Sequence, residues 1–436
     1  MMVIAFIASG VAAQEPVRRL TLAEAVDAAL AVDPQIAAAG VGIAGARAGI
    51  GEARSALRPH VDLAASALEY QKPMVVTPIH GFTPGQLPQF DRTLIQSNIG
   101  ATYLLWDGGA SRARVQQAKA AEQAAASGQD AVAKNVEART AVLYLAVLSN
   151  AAELEAYRLR TVALDSELAR VRPLREVGRA ADVEVLRVEA ALASAAAERT
   201  SIAADLEVAE QTLARATGLG LARTRASNLE EPHLDRGAAG TREDLEKAAV
   251  QSNPAVRQAR ENLLAQQAAI TFARAGNLPR LQAAGSLLQF GSGRGDFTME
   301  WNTGVTIRWS AYDGRATASR VAQAQAAADR AEQQVRQAEK DVRDSLDRAL
   351  ADLDQARAAV ESLRVAVQRF EEVTRIEKLR LETGVGTQTD YLRSEADLMQ
   401  SRAGLAAARY RSMMARVEIA RITGDLDPAW IVRSEQ

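Results

Sequence analysis

The chain has 436 residues, enough for two or three domains of ordinary size, and its formal net charge is -2 at pH 7. This near balance gives no indication of a nucleic-acid partner, since such binders carry an excess of Lys and Arg. The absence of cysteine excludes disulfides, thiolate metal sites and cysteine nucleophiles, and an aromatic content of only 4% favours long helices over a large aromatic core.

The N-terminus predicts export from the cytoplasm. An apolar run extends from Val3 to Ala13, and the small residues Val11 and Ala13 have the spacing that a signal peptidase recognises. We therefore predict a signal peptide at residues 1–13; the alternative is an N-terminal apolar helix of the mature protein. No later run of 18 or more uninterrupted apolar residues follows, so any membrane-spanning part is expected to consist of β-strands.

The sequence repeats itself. Pro254 follows Pro34 by 220 residues, and the same offset relates Pro279 to Pro59. An offset of 206 then relates Gly384 to Gly178 and continues to the ARATG and ARITG segments that end at Gly218 and Gly424. A shared offset over so long a stretch indicates a tandem duplication.

Each repeat has the same predicted order of strand, strand, long helix, tip and return helix. The first repeat, residues 14–217, has strands at about 60–71 and 92–106, a long helix at about 109–176, a tip at 177–181 and a return helix at 182–217. The second, residues 242–424, has strands at about 280–290 and 297–310, a long helix at about 315–382, a tip at 383–388 and a return helix at 389–423. Residues 218–241 form a linker and residues 425–436 a C-terminal tail. Apolar residues at steps of three and four in the second long helix predict coiled-coil packing, whereas Pro173 predicts a kink or an early end in the first.

The last strand carries the clearest pattern. From Phe297 to Trp309 apolar and polar residues alternate, with an aromatic residue at each end. This alternation is typical of the lipid-facing strands of outer-membrane barrels. We predict a lipid-facing girdle at Trp106, Phe297, Trp301 and Trp309; the alternative is an amphipathic sheet of a soluble protein, packed on helices.

Four strands leave two open edges, which lipid does not tolerate. Three copies would supply twelve strands, enough to close a barrel with a polar lumen. The predicted fold is therefore mainly α with a membrane β-barrel: each tandem-repeat subunit gives four β-strands and long coiled-coil helical hairpins. A homotrimer would form a 12-stranded β-barrel on a 12-rod α-helical barrel, which is a conduit.

Charged residues follow both predicted tips. They are Asp182, Arg187 and Glu189 in the first repeat and Asp390, Arg393 and Glu395 in the second. In a trimer each becomes a ring of three, and closely spaced carboxylates select cations or hold a gate through ion pairs. The alternative is an ordinary first helical turn, where acidic residues are favoured by the helix dipole.

The two turns, EVGRAADVEVLRVEA and ETGVGTQTDYLRSEADL, and the closing ARYRSMMARVEIARITGDL resemble the TolC family of outer-membrane efflux proteins over nearly the whole mature chain. The resemblance implies an outer-membrane trimer that passively exports substrates received from an inner-membrane transporter through a periplasmic adaptor. It implies adaptor contacts at Val177, Gly178, Arg179, Ala180, Gly384, Val385, Gly386 and Thr387. It also implies a constriction carboxylate at Glu395, whereas the position of a second acidic residue in the family is Leu392 here.

The sequence contains no pattern that predicts catalysis, a metal site or a cofactor. His60, His80 and His233 are scattered, and GSGRGD at 291–296 joins two predicted strands, so it indicates a hairpin turn rather than a phosphate loop. A second interpretation is a periplasmic coiled-coil adaptor or scaffold without a membrane barrel. An enzyme is the third, and no motif favours it.

Overall fold

The computed structural model describes residues 19–76, 85, 89–234 and 240–435; the predicted signal peptide at 1–13 lies outside them. The strands are β1 (His60–Val75), β2 (Phe90–Trp106), β3 (Arg280–Ser292) and β4 (Phe297–Arg308). The helices are α1 (Leu22–Val32), α2 (Pro34–Ser55), α3 (Ala110–Glu176), α4 (Asp182–Thr217), α5 (Leu221–Thr224), α6 (Arg242–Ser252), α7 (Pro254–Arg274), α8 (Ala316–Glu382), α9 (Gln388–Thr423) and α10 (Pro428–Glu435). The predicted class, mainly α with a small sheet, is confirmed.

One compact unit, residues 38–129 and 255–338, contains the sheet. Its four strands are antiparallel in the order β1-β2-β3-β4. The two central strands come from different repeats, so the duplication builds a single sheet and leaves β1 and β4 as edge strands.

The second unit takes the described part of residues 1–37, with residues 130–254 and 339–436. Its core gathers buried side chains of α1, α3, α4, α9 and α10 around Tyr144. The Tyr144 hydroxyl donates to the carbonyl oxygen of Leu20 at 2.7 Å and accepts from the Glu230 backbone N–H at 2.9 Å. Both compact units combine segments of both repeats, so neither repeat forms a unit alone.

The two longest helices begin in the same way. Asp107 and Asp313 each precede a glycine with positive φ, Gly108 and Gly314. The Oδ2 atom of each aspartate accepts from a backbone N–H of the first helical turn, at 2.8 Å in α3 and 2.7 Å in α8. These caps satisfy helix N–H groups that have no intrahelical partner.

Helices α3 and α8 have 67 residues each, which corresponds to roughly 100 Å. The early end expected at Pro173 is wrong, since α3 continues to Glu176. Proline removes one backbone donor, but Val171 in the preceding turn is buried against Val185 and Val188 of α4. Along α8, buried residues recur at steps of three and four, as coiled-coil packing requires: Val342, Leu346, Ala349, Leu353 and Ala356.

Within the described residues, no single helix has the length and apolar composition of a membrane span. Among the described helices, α1 and α2 have the required length and apolar composition when they are taken together as one pair, which is bent by 51°.

Candidate functional site

Two helical hairpins reverse direction in the same way. We call residues 177–181, between α3 and α4, tip 1, and residues 383–387, between α8 and α9, tip 2. In tip 1 the Arg179 N–H donates to the Leu174 carbonyl oxygen at 2.7 Å, and in tip 2 the Val385 N–H donates to that of Arg380 at 2.9 Å. Gly178 and Gly384 have φ values of 71° and 78°. This is the Schellman motif, which needs glycine because other residues are strained at positive φ.

The tips differ in how the return helix starts. At Gly386 an added Cβ would lie 2.8 Å from Arg380 Cβ and 3.0 Å from the Leu381 backbone nitrogen, so only glycine fits. The equivalent residue of tip 1 is Ala180. Thr387 then caps α9 by accepting from the Asp390 N–H at 3.1 Å, whereas Ala181 before α4 has no side-chain oxygen to do so.

Both tips present apolar side chains to their surroundings. Val177 is 68% exposed and Val385 is 73% exposed. Arg179 and Thr387 are also exposed, while Ala180 and Gly386 are half-buried. Val177 and Val385 occupy exposed positions on the two turns.

In the first hairpin the predicted charged residues form pairs between α3 and α4. Arg175 Nε lies 2.5 Å from Asp182 Oδ1, and an Arg172 guanidinium nitrogen lies 2.9 Å from Glu189 Oε1. All four side chains are at least partly exposed, so these pairs contribute little to stability. They do link the outgoing and return helices on either side of tip 1.

In the second hairpin the charges have different surroundings. Asp390 accepts from the Thr387 hydroxyl at 2.7 Å and Arg393 is exposed. Glu395 is half-buried, and its Oε1 accepts from the hydroxyl of the buried Tyr391 at 3.2 Å. Burial raises the pKa of the Glu395 carboxyl above its ordinary value of 4.5, although the Tyr391 hydroxyl and the Arg402 charge act in the opposite direction.

The return helices meet. The Arg187 guanidinium on α4 donates to the Thr389 hydroxyl on α9 at 2.7 Å. Leu392 of α9 packs against the apolar cluster that closes the first hairpin, which consists of Leu168, Val171, Val185 and Val188. The position that lacks the family's second carboxylate is therefore a packing position. Sequence reasoning missed Thr389 and Tyr391; the spacing of Tyr391 and Glu395, four residues apart on one helix, was the available signal.

The sheet has one apolar face that is open. Leu63, Ile99, Leu287 and Trp301 form a row across all four strands, and each side chain is exposed. Trp301, at 71%, is the most exposed of the three tryptophans in the predicted girdle. An exposed apolar row of this width is typical of a surface that contacts lipid or another protein, because soluble proteins rarely expose large contiguous apolar patches.

Trp106, Phe297 and Trp301 lie on this apolar face, Trp309 follows the last residue of β4, and all four side chains are exposed. Trp106 and Trp309 lie at the end of the sheet where β2 and β4 finish, and Phe297 lies at the opposite end. Trp301 is in the middle of β4, opposite Leu287. The Phe297 ring covers Gly291, where an added Cβ would lie 2.4 Å from the ring. Among the described residues, no group of three or more His, Asp or Glu side chains could hold a metal ion.

Comparison with known proteins agrees with this geometry. The sequence profile of the family described as outer membrane efflux protein matches residues 25–219 and 245–425. No curated protein matches the sequence.

Solved structures share the fold. A membrane protein from Pseudomonas aeruginosa is 20% identical, with a TM-score of 0.81, covering 93% of this chain and 91% of its own. The outer membrane protein VceC from Vibrio cholerae is 18% identical, with a TM-score of 0.78, covering 92% and 96%. The open state of the MtrE outer membrane channel of Neisseria gonorrhoeae is 19% identical, with a TM-score of 0.75, covering 92% and 88%.

The profile match covers most of the chain, in two segments that correspond to the two repeats. The resemblance noted from the tip sequences is thereby confirmed, and the outer-membrane interpretation is favoured over a periplasmic scaffold or an enzyme. The chain belongs to the outer membrane efflux protein family, whose members are transport channels of the outer membrane.

Proposed function

We propose that the chain is one subunit of a homotrimeric channel in a tripartite efflux or type I secretion system. It passively conducts substrates, received from an inner-membrane transporter through a periplasmic adaptor, to the cell exterior. The observation that carries this proposal is the sheet: one exposed apolar face together with two edge strands, β1 and β4, that each pair on one side only.

Unpaired strand edges are too costly in lipid, because each free N–H and C=O group loses its water partner. Three copies give twelve strands, enough for an open lumen, whereas eight strands fill with side chains. The apolar face then contacts outer-membrane lipid, with Trp106, Trp309 and Phe297 at its two ends and Trp301 between them. The polar face lines the lumen.

The direct test is to extract the protein in detergent and measure its mass by native mass spectrometry, then its conductance in planar bilayers. A trimer that forms discrete conducting steps is expected. A water-soluble monomer without conductance would show that the open edges are not closed by other copies.

The two tips are the proposed docking sites for the adaptor. Val177 and Val385, flanked by Gly178, Arg179 and Ala180 and by Gly384, Gly386 and Thr387, supply exposed apolar contacts on turns that the Schellman bonds hold in place. Val385→Asp should weaken binding to the cognate adaptor in biolayer interferometry by tenfold or more. Val41→Asp is the matched control, since Val41 on α2 is equally exposed at 73%. Equal loss in both variants would refute tip docking.

The charged residues after the tips are the proposed periplasmic constriction. In a trimer Asp182, Arg187, Glu189, Asp390, Arg393 and Glu395 each form a ring of three. The Arg187 bond to Thr389 joins the two hairpins of one copy and would limit their separation. Combined Asp390→Asn and Glu395→Gln should reduce cation preference in bilayer recordings, with Asp390→Glu and Glu395→Asp as charge-retaining controls. Unchanged selectivity would rule out this role.

A further inference from the structure

The two edge strands carry opposite charges that have no partner in the described part of the chain. Arg308, on β4, lies directly opposite Arg280 on β3. Like charges directly opposite each other destabilise an antiparallel pair. Asp62, on β1 at the other edge, lies on the same polar face. Neither the Arg308 nor the Asp62 side chain forms a hydrogen bond or ion pair with a described residue.

The register of the sheet gives the offset between these two charges. Asp62 is opposite Gly100, Gly100 is opposite Ser286, and Ser286 is opposite Asn302. A row perpendicular to the strands therefore runs from Asp62 to Asn302. Arg308 lies six residues beyond Asn302 along β4 (308 − 302 = 6). Bringing Asp62 of a second copy opposite Arg308 requires a stagger of six residues per copy.

Closure of a barrel from three copies limits the stagger to a few values. With a rise of about 3.4 Å per residue and about 4.8 Å between strands, twelve strands tilt by about 35° for a stagger of four, about 47° for six and about 55° for eight. Known barrels tilt by about 35–45°. An odd stagger would move apolar residues to the lumen face. Four lies at the lower end of the known range of tilt and six lies about 2° above its upper end, so the charges must distinguish these two values.

We propose that β1 of one copy pairs with β4 of the next copy in the register that sets Asp62 opposite Arg308 of that neighbouring copy. This inference rests on the proposed trimer and specifies its seam. At a stagger of four, Arg308 would face His60 and Asp62 would face Thr306, which leaves both charges without an opposite partner. A stagger in the other direction would set β4 beside residues that precede His60 and lie outside β1.

The six-residue register also matches the apolar face, because Leu63 comes opposite Ile307 and Ala65 opposite Val305. Three ion pairs, one at each seam, offset the repulsion between Arg280 and Arg308. The seam then selects identical copies in one register, since a one-residue slip would reverse every side chain.

Cysteine pairs test the register directly, since the natural chain has none. In the proposed register Ala64 lies opposite Thr306 of the neighbouring copy, and at a stagger of four it lies opposite Gly304. Within one copy these residues are separated by three strand spacings, about 14 Å, and by a further displacement along the strands, too far for a disulfide. After oxidation, Ala64→Cys with Thr306→Cys should give covalent dimers and trimers on denaturing gels, and Ala64→Cys with Gly304→Cys should give mainly monomer.

The reverse result, or no cross-link from either pair although both thiols react with a maleimide and the protein is trimeric, would overturn the register. Absence of a trimer in native mass spectrometry of the natural chain would instead refute the proposed function itself. Charge reversal gives a second measurement. Asp62→Arg alone should lower the temperature at which the trimer dissociates in detergent, because it adds a third positive charge beside Arg280 and Arg308. Adding Arg308→Asp to that variant should recover at least half of the loss. No recovery would contradict the ion pair.

Discussion

The two tips have the same backbone turn but different means of holding it. Both end their long helix in a Schellman motif with glycine at the position of positive φ. Tip 2 adds a second required glycine, Gly386, and a threonine cap, Thr387. Tip 1 has alanine at both places, and the side-chain contribution at Ala181 is a bond from its N–H to Glu184 Oε2 at 3.3 Å.

The reversal of the chain and the restart of the helix are therefore separate features of the sequence. Duplication kept the glycine that ends each long helix, because no other residue fits there without strain. The restart diverged, since a missing cap costs only about 1 kcal/mol. Tip 2 is consequently the more strongly determined turn, and tip 1 is the one that we expect to open more readily.

Gly386→Ala is expected to have the largest effect on the difference between the two tips. The new methyl group would meet the backbone of Arg380 and Leu381, which cannot move without disrupting the end of α8. We expect a loss of about 3 kcal/mol in the local opening free energy of tip 2, at the upper end of the cost of overpacking. Hydrogen exchange measured by mass spectrometry over the first turns of α9 would detect it. Ala180→Gly in tip 1 is the control and should change exchange by much less.

A smaller and equal effect is expected from replacing the glycines with positive φ. Gly178→Ala and Gly384→Ala should each cost about 1–2 kcal/mol, since the added methyl meets no neighbouring atom and only the backbone strain remains. Asparagine at either position should cost less, because it adopts this conformation more easily. If protection from hydrogen exchange falls clearly more in one variant than in the other, the two reversals are not equivalent.

Exchanging the caps should make the tips more alike. Thr387→Ala removes the oxygen that accepts from the Asp390 N–H and should cost about 1 kcal/mol, whereas Thr387→Ser should retain most of the cap. Ala181→Thr should slow hydrogen exchange at the start of α4 by up to fivefold. If neither exchange rate changes, capping does not distinguish the tips.

Local signals predicted the elements well. The Phe297–Trp309 alternation identified the exposed apolar face, and the glycines at 178 and 384 marked the two reversals. These patterns depend on neighbours along the chain, so they can be recognised from the sequence alone. The coiled-coil seam of α8 was readable for the same reason.

Contacts between the two repeats could not be predicted from the sequence. Nothing in the sequence indicated that β2 pairs with β3, that Arg187 reaches Thr389, or that Leu392 packs on the first hairpin. Each of these depends on which helices and strands become neighbours after folding. The bond between Tyr391 and Glu395 was within reach of the sequence, since the two residues are four apart on one helix, but the burial of Tyr391 depends on what packs against α9.

The smallest expected effect is on the pH dependence of stability, and it concerns Glu189 and Glu395, which occupy equivalent positions in the two repeats at the offset of 206. Glu189 is paired with Arg172 near the surface, so Glu189→Gln should cost at most about 1 kcal/mol. Burial raises the pKa of Glu395 above 4.5, so between 4.5 and that raised pKa the folded protein holds more protons than the unfolded chain. This contribution to stability is complete below pH 4.5 and is lost as pH rises through the raised pKa.

Glutamine mimics the protonated carboxyl, so Glu395→Gln should match the natural protein near about pH 4 and exceed it in stability near about pH 8. Thermal unfolding of both proteins in detergent at the two pH values measures the difference. Glu189→Gln, the matched control, should lack this gain at high pH because its carboxyl is exposed and paired. A Glu395→Gln variant that is less stable than the natural protein at high pH would mean that the ionised carboxylate, held by Tyr391 and Arg402, is the form that the second hairpin requires.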